Sequence, residues 1–258
     1  AEKLSEFGEK GEPEEVAIGK TTAELLLAQA SLVDDPNLQS YVNQVGYWLV
    51  SHSARDSLPW QFMVIKNSAV NAFAAPGGYI FITTGMLASL RNEAELAGVL
   101  AHEIAHVLQR HHLKALEKKS RTGLLADILV LATQASAAED YGTSAGSTEV
   151  REISSAFDTA VTDLYNRGLD RGDEYLADQQ GVQLAAQAGY DPYALVAVLQ
   201  VLDRRGRDDE QLLRFASTHP SAAERLNRLD MTLMRLDAAE AQNRVLAERY
   251  QLNTYRRE

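Results

Sequence analysis

Residues Ala101-His102-Glu103-Ile104-Ala105-His106 place two imidazoles four positions apart with a carboxylate beside the first. On a helix, residues four apart lie one turn above each other on the same face. Two rings so placed can aim a nitrogen each at one ion, at about 2.0–2.1 Å for zinc. Glu103 sits about 100° round the helix from His102. It is badly placed to join the ligands but well placed to reach a water on the open side of the ion, whose pKa zinc lowers towards about 7. Glu103 can take that water's proton and hand it to a leaving amine. Ala97, Val99, Leu100, Ile104 and Val107 surround the motif with apolar residues, which predicts a buried helix. An ordinary helix can carry such a pentapeptide by chance, so a third ligand decides between the readings.

Glu174 and Asp178 are also four apart, in Arg171-Gly172-Asp173-Glu174-Tyr175-Leu176-Ala177-Asp178. Glu174 is a candidate third ligand, which would leave the fourth position for water. Asp178, one turn on, can accept the N–H of a ligand histidine and fix its tautomer. The competing reading is a solvated acidic face. Tyr175, Leu176 and Ala177 break the acidic run and argue against it. Extrapolating one straight helix, His111 and His112 fall about 180° and 280° from His102, off the ligand face. They are expected at a surface or helix end, and His52 carries no further reading.

The elements that must position these groups are mostly helical. The spacing predicts helices over 14–32, 37–51, 92–116, 123–136, 149–165, 170–187, 192–203 and 221–250. Asp34-Asp35-Pro36 is a helix-start signal. The segments 60–65, 70–74 and 79–83 are rich in β-branched and aromatic residues, and Pro76-Gly77-Gly78 supplies a turn. The expectation is an α+β, mostly α-helical fold with a sheet of three to four strands beside the H-E-x-x-H helix. Residues 1–13 read as a flexible arm and 14–258 as a single domain. Residues 137–148 read as a lid or a plain connector.

Bulk properties narrow the function. Hydrophobic residues make up 45% and charged residues 24% of the 258, an ordinary globular composition. The net charge of −11 disfavours nucleic acid as a partner. With no cysteine, any metal must be held by His, Asp or Glu. No stretch is long and apolar enough to predict a membrane-spanning helix.

His102–His106 followed by Glu174-x-x-Ala177-Asp178 resembles the HtpX and CAAX-prenyl-protease family of gluzincin zinc peptidases. Asn71-Ala72-Phe73-Ala74 with Pro76-Gly77-Gly78 and Thr84-Gly85, the stretch Ala188–Pro192, and Thr218-His219-Pro220 with Arg225 resemble further elements of that family. The likeness runs from about residue 15 to 229. It implies a zincin-like core with His102, His106 and Glu174 as ligands of one Zn2+ and Glu103 as the catalytic base. It implies that Asn71, Ala72, Phe73 and Ala74 form an edge strand that pairs with extended substrate; a plain core strand is the alternative. His219 would stabilise the oxyanion or cap the metal as a fourth ligand, or simply start a helix before Pro220. Asp178 would support a ligand, and Arg225 would orient His219 or a substrate carbonyl.

Without transmembrane helices, the chain resembles the soluble bacterial envelope branch of the family (BepA/LoiP-like), lacking the helical-repeat domain. That implies a periplasmic or lipoprotein-anchored protein of a Gram-negative bacterium whose leader is absent here, with peripheral association with the outer membrane or its assembly machinery. Two functions follow as expectations. One is a metalloendopeptidase acting on extended or misfolded polypeptide. The other is a zinc-capped latent protease serving mainly as a chaperone-like binding module.

Overall fold

The computed structural model describes residues 11–119, 148–205, 209–237 and 246–254. The helix expected over 123–136, residues 1–10 and nearly all of the 137–148 loop lie outside them. Two helices open the described chain, α1 (Glu12–Ala28) and α2 (Pro36–Val50). α1 starts inside the stretch read as an arm, with Pro13 in its first turn, where the missing N–H costs nothing. α2 starts where Asp35 and Pro36 signal it. The Asp35 carboxylate accepts from the N–H groups of Asn37 (3.0 Å) and Leu38 (3.1 Å).

Three strands follow, β1 (Gln61–Ile65), β2 (Ala72–Ala75) and β3 (Tyr79–Thr83), in the sheet order β1-β3-β2. β3 runs parallel to β1 and antiparallel to β2. Its five residues are all buried, as a central strand's should be. Gly77 (φ 74°) and Gly78 (φ 100°) make the reversal between β2 and β3 in the left-handed region that glycine adopts without strain. The outer edge of β1 is closed by amide side chains of α2. Asn43 exchanges hydrogen bonds with both backbone groups of Phe62, and Gln39 does the same for Val64. β2 forms the opposite edge.

The remaining helices are α3 (Thr84–Ser89), α4 (Glu93–Leu108), α5 (His111–Lys119), α6 (Thr148–Arg167), α7 (Arg171–Gln187), α8 (Ala194–Arg205), α9 (Leu213–Thr218), α10 (Ala222–Asp237) and α11 (Ala247–Thr254). α4 carries the H-E-x-x-H motif and is buried from Glu93 through Val107. It packs against β2, α2, α7 and α8. Its start is fixed by Asn92, whose side chain accepts from the Glu95 N–H at 2.9 Å.

Two expected helices are broken. The one read over 92–116 stops at Leu108, and Arg110 takes φ 56° before α5 begins at His111. The one read over 221–250 is divided between α10 and α11. In the first case a single left-handed residue redirects the chain, and a non-glycine there leaves no sequence signal.

α7 lies directly on the motif helix. A Cβ built on Gly181 would fall 2.8 Å from the backbone nitrogen of His102 and 2.9 Å from its Cα. Only a residue without a side chain permits that approach. Gly181→Val is therefore expected to lower stability by roughly 1–3 kcal/mol through overpacking and to weaken metal binding by displacing α7. Denaturant unfolding and zinc titration check this; an unchanged midpoint with unchanged zinc affinity would contradict it.

Candidate metal centre

His102 and His106 present their Nε2 atoms to each other at 3.1 Å. Glu174, near the start of α7, brings Oε2 to 3.7 Å from His102 Nε2 and Oε1 to 3.5 Å from His106 Nε2. One ligand atom from each of the three residues lies within 4.8 Å of the others. All three side chains are buried, and Glu174 Oε2 has no hydrogen-bond partner. A buried carboxylate oxygen facing imidazole nitrogens with no donor is costly, and a divalent cation would satisfy it. Two imidazoles and a carboxylate, without thiolate, suit zinc among such ions.

The rings are held from behind. His102 Nδ1 lies 3.0 Å from Asp178 Oδ1. Asp178 in turn accepts two bonds from Arg225, Nε to Oδ2 at 2.8 Å and Nη2 to Oδ1 at 2.5 Å. Burial alone would raise the Asp178 carboxyl, but the Arg225 charge and the hydrogen bonds from Arg225 and His102 hold it well below the usual carboxylate range. The Arg225 guanidinium thus bonds Asp178 rather than His219. Phe215 lies under the guanidinium at 5.6 Å and stacks on the His219 ring at 4.3 Å, and the Arg225 charge adds to burial in lowering the His219 imidazole. Ser221 and Glu224 form a reciprocal capping box that starts the helix bearing Arg225.

Glu103 is buried beside these groups, within 4.8 Å of both His102 and His219 by its nearest ligand atoms. Burial pushes its carboxyl up to about 8; Arg225 opposes the shift and Asp178 adds to it. Glu174 is raised well above the ordinary range, again chiefly by burial. His102 and His106 are lowered by burial and by the neighbouring Arg225 and histidines respectively, so both stay neutral near pH 7.

His219 caps the end of α9 and brings Nε2 to 3.7 Å from Glu174 Oε2. Its Nδ1 faces the Phe215 carbonyl at 3.3 Å and the Thr218 hydroxyl at 2.9 Å. Asn71, Ala72 and Phe73 line a cleft together with Glu103, His106 and Glu174. Ala74 is fully buried, and its carbonyl accepts from the Tyr165 hydroxyl of α6 at 2.6 Å.

Three residues in the site have no role in the sequence reading. His111 and His112 are not surface residues: both are buried, because the turn at Arg110 folds α5 back under His106. His111 Nδ1 lies 2.9 Å from His106 Nδ1, and the His112 ring stacks on Tyr165 at 5.4 Å. Tyr165 also packs edge-on against Phe73. Helical spacing measured from His102 cannot find the two histidines, since the helix they were measured along does not continue. No local pattern marks Tyr165.

Residues 36–233 match the family described as peptidase family M48. The chain belongs to that family. Membership of M48 implies a metal cofactor, and the His102–His106–Glu174 cluster offers the groups to hold one. The M48 chain is 33% identical over 225 residues to the beta-barrel assembly-enhancing protease of Yersinia pestis, covering 83% of this chain and 43% of that protein. It is 33% identical over 221 residues to the protein of the same name in Escherichia coli (strain K12), covering 83% and 42%. It is 33% identical over 194 residues to the mitochondrial metalloendopeptidase OMA1 of Schizosaccharomyces pombe, covering 74% and 51%. The M48 chain thus spans under half the length of these bacterial relatives. No described helix is long and apolar enough to cross a membrane.

The raised carboxyl of Glu174 and the lowered imidazoles set the proton balance of metal uptake. At neutral pH the histidines bring no proton to lose, whereas burial favours the protonated form of Glu174, which must be ionised to ligate. Zinc binding near pH 7 is expected to release protons, from Glu174 and from the neighbouring raised carboxyl of Glu103. Calorimetry in buffers of different ionisation enthalpy measures this; release of none would contradict the protonated state of the free site.

Proposed function

We propose that this M48 chain is a zinc-dependent metalloendopeptidase acting on extended or misfolded polypeptide. The observation that carries the proposal is the convergence of His102, His106 and Glu174 on one point with Glu103 beside it. When bound there, zinc supplies Lewis acidity to the attacking water and the scissile carbonyl. Glu103 accepts the water's proton at its carboxylate and delivers it to the amide nitrogen as the carbon–nitrogen bond breaks. Burial raises the Glu103 carboxyl above the ordinary range, which favours its taking a proton from the water. Asp178 and Arg225 keep the His102 ring in register while charge moves.

The sheet supports an extended substrate. Asn71 turns both backbone groups towards β3, exchanging bonds with Thr83. Alternation then turns the N–H and carbonyl of Ala72 outwards, into the cleft. The Ala74 carbonyl, the next outward acceptor, is taken by Tyr165. A substrate strand would therefore pair first at Ala72. A second hollow begins beyond His219, which borders both. A chain crossing the site would have room on each side, as internal cleavage requires.

One observation favours a second, latent form of the same enzyme. His219 Nε2 lies towards Glu174, and a proton on Nδ1, which faces the Phe215 carbonyl and the Thr218 hydroxyl, would leave Nε2 a lone pair for the metal. In this conformation His219 is a candidate fourth ligand rather than an oxyanion donor, and a closed shell holds no water to activate. A capped site of this kind would leave the chain a polypeptide-binding, chaperone-like module until His219 moves. The bacterial relatives are named for enhancing beta-barrel assembly, and our reading gives this chain work of that kind, peripheral or lipoprotein-anchored at the periplasmic side of the outer membrane.

Cleavage of unfolded casein by the zinc-loaded protein tests these readings. Glu103→Gln is expected to keep zinc and lose roughly 10²–10⁴-fold in turnover; an active variant would remove Glu103 as the base. His219→Ala is expected to raise cleavage if the ring caps the metal. A fall of about 10²–10³-fold would instead make it an oxyanion stabiliser.

A further inference from the structure

The second ring nitrogen of His102 is held by a carboxylate, but that of His106 is held by another imidazole. His106 Nδ1 and His111 Nδ1 are 2.9 Å apart, with the rings 72° from coplanar. His111 is 2% exposed, and its other nitrogen lies 3.5 Å from Asp173 Oδ1. Asp173 immediately precedes Glu174 on α7.

A nitrogen–nitrogen hydrogen bond requires one donor and one acceptor. If His106 offers the Nε2 lone pair to a metal, its proton sits on Nδ1 and is donated to His111. His111 must then accept at Nδ1 and carry its own proton on Nε2, the nitrogen that faces Asp173. The geometry thus fixes one order of protons along Asp173, His111 and His106.

His111 reaches this position only through the turn at Arg110. On a continued helix it would lie about 180° from the ligand face. Arg110 adopts φ 56°, and its Nε lies 3.0 Å from Glu15 Oε2. Glu15 is itself buried in α1 and receives Arg55 at 2.7 Å. An uncommon backbone state is thus held by a buried ion pair from the start of the chain.

We propose that His111 is a positioning residue that holds His106 in its metal-ligating tautomer, with Asp173 fixing the accepting tautomer of His111. This rests on the reading of His102, His106 and Glu174 as the zinc site. Without the acceptor, His106 is free to rotate and to protonate Nε2, and that form cannot ligate.

The test measures zinc affinity by chelator competition in wild type, His111→Phe and His111→Asn, with the visible spectrum of the cobalt-substituted proteins as a second readout. Phe fills the space without accepting, whereas the Asn side-chain oxygen can occupy the place of Nδ1. His111→Phe is expected to weaken zinc about 10–100-fold and alter the cobalt spectrum, and His111→Asn to restore most of both. Equal affinity and spectra in wild type and His111→Phe would overturn the proposal, as would an Asn variant no better than Phe. A wild type that binds no zinc at this site would instead overturn the reading of the site itself. Should His111→Phe fail to fold, the wild-type zinc protein still decides. NMR scalar coupling between the two Nδ1 atoms across the hydrogen bond is expected, and its absence with an Nε2-protonated His106 would refute the proposal.

Discussion

Two imidazoles on one helix and a carboxylate on another reach a common point only when no layer of side chains separates the helices. Gly181 removes that layer where α7 crosses His102. The same contact sets Glu174 towards the imidazoles at one end of α7 and Asp178 behind His102 one turn on. The bidentate Asp178–Arg225 pair then ties α10 to both helices inside the protein. Breaking such a buried pair by removing one partner costs about 3–5 kcal/mol, because the other charge is left without compensation. The centre and the packing of three helices are therefore one arrangement, and neither can be altered alone.

Around this point the site is asymmetric. His102 is backed by an ionised carboxylate and guanidinium, His106 by a neutral imidazole. One sheet edge is sealed by Asn43 and Gln39, while the other faces the cleft with Tyr165 over one of its carbonyls. His219 borders both cavities. The Tyr165 hydroxyl covers the Ala74 carbonyl and the His219 ring stands beside Glu174, so two side chains flank the approach to the histidines. Access, as much as chemistry, is built into the walls of the site.

Much of this was legible in the sequence where the determinants are local. The four-residue spacing of His102 and His106, the Asp35 cap and the glycine turn after β2 depend on neighbours within one or two turns of chain. Glu174 was a candidate third ligand from its own four-residue spacing with Asp178, and the resemblance strengthened it, because no local rule states which distant helix will pack on α4. The break at Arg110 was illegible for a physical reason. Its positive φ is held by Glu15, far away in sequence, and nothing in the residue type announces it. His111 and His112 were misplaced as a direct consequence. The sheet order was likewise hidden, since placing β3 between β1 and β2 is settled by long-range pairing rather than by strand propensity.

The proposed activity requires Glu174 and the two imidazoles to share one ion. A crystal structure of the zinc-loaded protein, with the ion located by anomalous scattering at the zinc edge, measures this directly. The expected result is one ion bonded at about 2.0–2.2 Å to His102 Nε2, His106 Nε2 and a Glu174 carboxylate oxygen. An ion bound elsewhere, or held by the histidines with Glu174 turned away beyond about 5 Å, well outside zinc–oxygen bonding range, would contradict it.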